Sequence, residues 1–281
     1  MGSLYLTRLG DWCRAAGLRT IETDGWQTRA RGSGGYEPGR PWVVMWHHTA
    51  SQTSPENDVG YIVAGCPDAP VANLYLARDG AVYVCAAGAT NTNGKGGPWR
   101  TSRGTVPVDQ MNTYAVSIEA ANNGTGEHWP VAQIDAYFAL SNELTARLEL
   151  TPTDLCTHAV WSPTRKIDPA RAEAVDGDWW PRASNNSGTW VLGDVQDEAE
   201  LRTGTLPPPP PPFDEEDDMK VLIQDTVLQA LFTVDGVPVS AQLRDALVAQ
   251  GYVIINQDHA EWRDAMLEQI GPAAALRYGA R

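Results

Sequence analysis

Five residues could together do chemistry on a polar bond: His47, Glu119, His158, Lys166 and Asp168. Two imidazoles and one carboxylate with a position left open are the ligand set of a catalytic zinc site, whereas structural zinc sites are closed by four ligands and rich in Cys. His47 is followed by His48 at the end of an apolar run, His158 lies far downstream, and Asp168 comes ten residues after it. Water held at such a centre needs a base for its proton and a donor for the oxyanion that forms. Glu119 fits the first role and Lys166 the second. Each residue alone has an ordinary explanation, as a strand-end carboxylate or a solvated lysine. The combination of a strand-end His, a distant His-x9-Asp and a Lys two residues before that Asp is far more specific. Cys156, two residues before His158, is a rival ligand on paper and a small buried thiol on the plainer reading. His128 and His259 receive no role.

These side chains need rigid elements behind them. Val43-Val-Met-Trp46 is too short for a helix and rich in strand formers, so Trp42 to Ala50 reads as a buried strand ending in polar groups. Successive strand side chains point to opposite faces. Only one of His47 and His48 can therefore face a given cleft, and the other must pack or hydrogen-bond. Tyr114 to Glu119 is a second strand ending in a carboxylate. Residues 157–169 hold two prolines and cannot be one regular helix. They read as a loop folded back on itself.

Composition narrows the class. The chain has 281 residues, 42% hydrophobic and 20% charged, which suits one large or two smaller globular domains. A net charge of -14 argues against nucleic acid as a partner, since phosphate binding needs a basic footprint. No apolar run approaches a membrane span, so membrane insertion is not expected. Met1 to Leu9 lacks the pattern of an export signal, and the expected place of synthesis is the cytoplasm. The four cysteines are too sparse for a disulfide scaffold; free thiols are the default, and a bridge from Cys66 stays open. Eleven Trp against three Phe fit either an aromatic core or a sugar-binding surface. The oligomeric state is not legible.

Along the chain, helical spacing predicts a helix over 3–17, a strand over 18–23 and a loop over 25–40. A short helix is expected around Val59 to Val63. Asn73 to Cys85 reads as a hairpin around Asp79-Gly80. Residues 87–106, rich in Gly, Asn and Thr, read as a long loop of functional character that lacks phosphate-loop spacing. Residues 131–149 are helical, and a short helix is expected over 168–175. Six prolines from Pro207 and an acidic run after Phe213 mark 204–218 as a linker. The expected domains are 1–203, carrying the candidate site, and a small module, 219–281. In that module Val221 to Val239 and Tyr252 to Asn256 read as strands, and Ser240 to Gln250 and Asp258 to Ile270 as helices.

At this point the sequence resembles the zinc-dependent N-acetylmuramoyl-L-alanine amidases of the peptidoglycan-recognition-protein type, in particular bacteriophage amidase endolysins of actinobacterial phages. The resemblance spans roughly residues 5–200. It rests on Gly25-Trp26-Gln-Thr-Arg29, His47-His48-Thr49-Ala50, Asn73-Leu-Tyr-Leu-Ala-Arg-Asp-Gly80, Ser117-Ile-Glu119, His158 and Lys166-Ile-Asp168-Pro169. It implies an α/β (α+β) fold with a central mixed β-sheet flanked by helices. It implies that His47, His158 and Asp168 bind Zn2+, that Glu119 acts on the zinc-bound water, and that Lys166 stabilises the oxyanion. The implied substrate is bacterial peptidoglycan, cut between N-acetylmuramic acid and L-alanine. The implied setting is the host wall, reached once another phage protein opens the membrane. The sequence departs from the family at Ala72, near a position where many relatives carry tyrosine, and at Asn91-Thr92, where relatives often show Asn-His. The lysin context implies a cell-wall-binding tail; an accessory or oligomerisation module is the equal alternative. Two other functions stand beside the first: a non-catalytic peptidoglycan-binding protein of the same fold, and a zinc endopeptidase acting within the stem peptide. Relatives of the first kind typically lack a zinc ligand, and no H-E-x-x-H helix marks the second.

Overall fold

The computed structural model describes residues 3–170, 179 and 181–203, and beyond them 221–225, 230–233, 238–239 and 253–257. The chain divides into two compact units, Met1–Pro209 and Pro210–Arg281.

The first unit is built on a mixed sheet of β1 (Thr20–Glu22), β4 (Val82–Val84), β3 (Leu74–Leu76), β7 (Ala115–Ala120), β2 (Val43–His48) and β8 (Leu155–Thr157), in that spatial order. β2 lies between β7 and β8, parallel to both, and every one of its residues is buried. A parallel strand covered on both faces reads as a continuous apolar run, which is why Val43 to Trp46 shows no alternation. One face carries Val44 and Trp46 against α3 (Val131–Arg147). The Trp46 ring stacks on Tyr137 with centroids 3.6 Å apart, and its Nε1 donates to Ser141 Oγ at 2.8 Å. Trp129, Trp179 and Trp190 extend this aromatic core, beside α1 (Leu9–Ala15) and α5 (Leu192–Thr203). The described tryptophans are buried or half-buried, most of them in the apolar clusters on the two faces of this sheet.

The opposite face carries Val43 and Met45 against Val106, Met111, Tyr114, Cys156 and Trp161. Part of that cover is the hairpin of β5 (Trp99–Thr101) and β6 (Gly104–Val106), so the expected long loop over 87–106 ends in paired strands. Two further expectations change. The first helix begins only at Leu9, because Leu4 forms an antiparallel bridge with Tyr36 instead of a helical turn. The helix near Val59 is α2 (Pro55–Ala64), longer than the apolar pattern suggested; Ser54 caps it and Pro55 begins it with its φ already fixed. The Asp79-Gly80 hairpin is present, with β3 antiparallel to β4 and Gly80 at φ 83°. All four thiols are free, Cys13, Cys85 and Cys156 buried and Cys66 half-buried.

The second unit contains a sheet ordered β11 (Pro238–Val239), β10 (Ala230–Thr233), β9 (Val221–Asp225) and β12 (Val253–Gln257), with β9 parallel to β12. The linker, the tail helices and most of the expected helix over 168–175 lie outside the described residues.

Candidate metal centre

The site forms along one row of the sheet. His47 pairs with Glu119 across β2 and β7, and Glu119 pairs with Tyr75 across β7 and β3. Trp46 pairs with Thr157 on β8, so the next residues, His47 and His158, stand side by side. Paired residues point to the same face of a sheet. Tyr75, Glu119, His47 and His158 therefore line up above the Met45–Cys156 layer. Asp168 joins them because the chain after β8 turns back: His158–Trp161 forms one short helix, α4, and the Ala159 N–H donates to the Asp168 carbonyl at 3.0 Å. The structure thus shows the fold-back that two prolines implied.

His47, His158 and Asp168 are buried and converge on one point. His47 Nδ1 lies 2.9 Å from His158 Nδ1 and 3.1 Å from Asp168 Oδ2, and His158 Nδ1 lies 3.0 Å from the same oxygen. Tetrahedral zinc with bonds of about 2.0–2.1 Å separates its ligand atoms by about 3.3 Å. The triangle is a few tenths of an ångström tighter than that, within the reach of small side-chain rotations. Burial, and then the neighbouring His158, lowers the His47 imidazole to about 4, so that ring is neutral at physiological pH. Burial raises the Asp168 carboxyl, but the two imidazoles facing it more than reverse this and hold it well below the usual carboxylate range. An ionised carboxylate beside nitrogen donors in a buried pocket is a set that a divalent cation satisfies.

Glu119 is set beside the triangle and is not part of it. Its Oε2 is fully enclosed and has no hydrogen-bond partner among the described residues. Burial first, then the charge of Asp168, raises its carboxyl well above the ordinary value, and Lys166 partly opposes the rise. Lys166 is thus close enough to act electrostatically on Glu119. It follows the turn in which the Arg165 and Lys166 N–H groups both donate to Ser162. All five residues singled out in the sequence lie in one region of the fold. Cys156 sits one layer deeper, its thiol raised by burial, and is outside the cluster. His48 faces the other side of the sheet, where its Nδ1 accepts the Ala170 N–H at 3.2 Å. That is the packing role strand alternation assigns to one of the pair. Ala72 is wholly buried. Tyr75, on the same strand, shares Glu119's row, and its hydroxyl donates to Asp58 at 3.1 Å.

Two contributors escaped sequence reasoning. Asn93 meets the outer nitrogens of both histidines. Tyr137, on α3, reaches through to the His47 backbone, accepting its N–H at 2.8 Å. An asparagine in a Gly-rich loop and a tyrosine on a helix carry no local signal of such a task.

Residues 37–171 match the family model described as N-acetylmuramoyl-L-alanine amidase. This segment belongs to that amidase family. It contains all five site residues. Among solved structures, the amidase LysC from Clostridium intestinale is similar at 15% identity, over 65% of this chain and 97% of that one, with a TM-score of 0.41. The Staphylococcus aureus hydrolase AmiA shares 15% identity over 68% and 87% of the two chains, at a TM-score of 0.41. The E. coli amidase AmiD, solved with an anhydro-N-acetylmuramic acid peptide, shares 20% over 53% and 60%, at 0.39. The search among curated proteins returned no match.

Proposed function

We propose that this amidase domain hydrolyses, in a zinc-dependent reaction, the amide bond between N-acetylmuramic acid and L-alanine in bacterial peptidoglycan, and that the protein serves as a phage lysin. The observation that carries the reading is the convergence of two imidazole nitrogens and one carboxylate oxygen within 3.1 Å, beside a half-buried carboxylate whose enclosed Oε2 has no partner among the described residues, inside the amidase segment. The lysin role is supported by the resemblance of the sequence motifs to lysins of actinobacterial phages.

His47, His158 and Asp168 would hold the metal. Zinc supplies a Lewis acid that makes water acidic near neutral pH and polarises an amide carbonyl. Glu119, with its raised carboxyl, is suited to both halves of a proton transfer: its carboxylate takes the proton of the attacking water, and its acid form returns it to the departing nitrogen. The water oxygen bonds to the carbonyl carbon and the C–N bond breaks, leaving a lactyl carboxylate and a free L-alanine amine. Lys166 brings a positive charge to the side of the site where the oxyanion develops. The buried walls exclude bulk water and strengthen these charges.

The test uses purified peptidoglycan with and without a chelator, then zinc add-back. Expected products are new N-terminal L-alanine and no new reducing ends, with the L-alanine signal lost under chelation and restored by zinc. New amino groups on another residue would make the protein an endopeptidase. Wall binding without any release would make it a recognition module.

A further inference from the structure

Both imidazoles of the cluster turn their outer nitrogen to a single residue. His47 Nε2 lies 3.1 Å from the Asn93 side-chain oxygen, and His158 Nε2 lies 3.0 Å from the Asn93 main-chain carbonyl. Both partners are acceptors, so each Nε2 must carry the ring hydrogen. A neutral imidazole has one N–H only. The lone pair of each ring is then on Nδ1, and both Nδ1 atoms face the Asp168 carboxylate. In the form ready for a metal, three electron-pair donors meet with no proton between them; a proton on either Nδ1 would instead be shared with Asp168 and would have to leave as the cation enters.

We propose that Asn93 is the positioning residue that fixes both histidines in the metal-ligating tautomer and thereby sets the zinc affinity of the centre. The inference rests on reading His47, His158 and Asp168 as a zinc site. Outer partners of ligating histidines orient the ring and raise its basicity. Here one residue does this twice, once through its side chain and once through its backbone.

Asn93 is itself held from several directions. It is fully buried, its N–H donates to Asn112 Oδ1 at 2.7 Å, and its amide Nδ2 donates to Ser117 Oγ at 3.2 Å. Ser117 lies on β7 two residues before Glu119, so the ligand support and the proposed base share one strand. The loop after Asn93 is clamped on Trp161. The Gly97 N–H donates to the Trp161 carbonyl at 2.9 Å, and Arg165 donates to the Lys95 carbonyl at 2.7 Å. A Cβ on Gly97 would lie 2.0 Å from the Trp161 ring, so only glycine permits this approach. Trp161 ends α4, the helix that His158 begins. The segment carrying one ligand therefore also holds the loop that orients both.

The opposite amide orientation would set the amino group toward His47. That would move the His47 hydrogen to Nδ1, into the centre. Asn93→Asp distinguishes the two orientations, because a carboxylate only accepts.

The experiment measures zinc affinity of the full chain by competition with a chromophoric chelator, for wild type, Asn93→Asp and Asn93→Leu. Melting of each protein in excess chelator reports folding separately. Asn93→Leu should bind zinc about 10- to 100-fold more weakly, and Asn93→Asp should bind at least as tightly as wild type. Equal affinity of wild type and Asn93→Leu, or an Asn93→Asp variant as weak as Asn93→Leu, overturns the inference. A wild type that takes up no zinc overturns the zinc reading itself. Independently of any variant, 15N shifts of the two rings in the zinc form should show hydrogen on Nε2 and metal on Nδ1. The reverse assignment for His47 also overturns the inference.

Discussion

Glu119 and His47 occupy the same register position on adjacent parallel strands, so a half-buried carboxylate and a metal-capable imidazole stand next to each other on one sheet face. The Glu119 Oε2 has no hydrogen-bond partner among the described residues. A carboxylate with one oxygen enclosed and unpaired is costly to keep unless its ionisation serves the reaction. Glu119→Gln keeps the shape and removes the proton chemistry. It should retain zinc and lower kcat by about 10^2- to 10^4-fold. Removing the buried acid should also raise the melting temperature of the metal-free protein at pH 7, since burial disfavours the charged form. Kinetics, bound-metal analysis and melting together check this. Near-wild-type kcat would remove Glu119 from the base role.

Asp168 answers to both imidazoles, at 3.1 Å from His47 Nδ1 and 3.0 Å from His158 Nδ1. Asp168→Ala or His158→Ala should therefore release zinc and activity together, with a loss of about 10^3-fold or more in kcat/KM, the several kcal/mol that a Lewis acid supplies. Chelating the wild-type protein should reproduce both losses. It should also lower stability by about 4 kcal/mol relative to a state with free zinc at a thousand times its Kd. Metal analysis and thermal melting measure the two effects. Tight zinc retention in Asp168→Ala would place the metal elsewhere.

The site was legible because its parts carry unusual residue types at strand and loop ends. A strand buried on both faces announces itself by a run such as Val43 to Trp46, and strand alternation separates His47 from His48 without any structure. What stayed hidden is non-local. Asn73 bonds the Ala86 and Gly88 carbonyls and the Ser117 N–H, tying the hairpin to β7, yet in sequence it is only a polar residue before a strand. Leu4 fits a helical stripe, but pairing with Tyr36 gives its backbone a better partner than one isolated helical turn would. The 99–106 hairpin was hidden because Gly104 and neighbouring polar residues lower its strand signal. It is held by Val106 packing into the Met45 layer.

Tyr137 couples the helix layer to the metal centre. Its hydroxyl accepts the His47 N–H at 2.8 Å and lies 2.9 Å from the His47 carbonyl, while its ring stacks on Trp46. Tyr137→Phe keeps the stack and strands a buried N–H. The expected cost is about 1–3 kcal/mol of stability, with weaker zinc binding because His47 loses a fixed backbone. Urea unfolding in chelator and zinc competition separate the two effects. Unchanged stability would mean that His47 finds another partner.

The metal-free protein should become less stable in mild acid, and His47 accounts for a defined share. Burial holds its folded-state imidazole at about 4, against 6.5 in the unfolded chain. Between those values the unfolded state takes up a proton that the folded state refuses. The stabilising contribution is therefore complete above pH 6.5 and is lost as pH falls through about 4. At about 1.4 kcal/mol per pH unit it is worth about 3 kcal/mol. His48, which burial also lowers, adds with the same sign. Glu119 opposes them, because a raised carboxyl favours the folded state as pH falls. Comparing wild type with His47→Gln, by urea unfolding in chelator from pH 7 to pH 4, isolates the His47 share. Wild type should lose up to about 3 kcal/mol more than the variant across that window. Parallel profiles would mean that His47 takes up its proton over the same pH range in the fold as in the unfolded chain, the Asp168 carboxylate offsetting its burial.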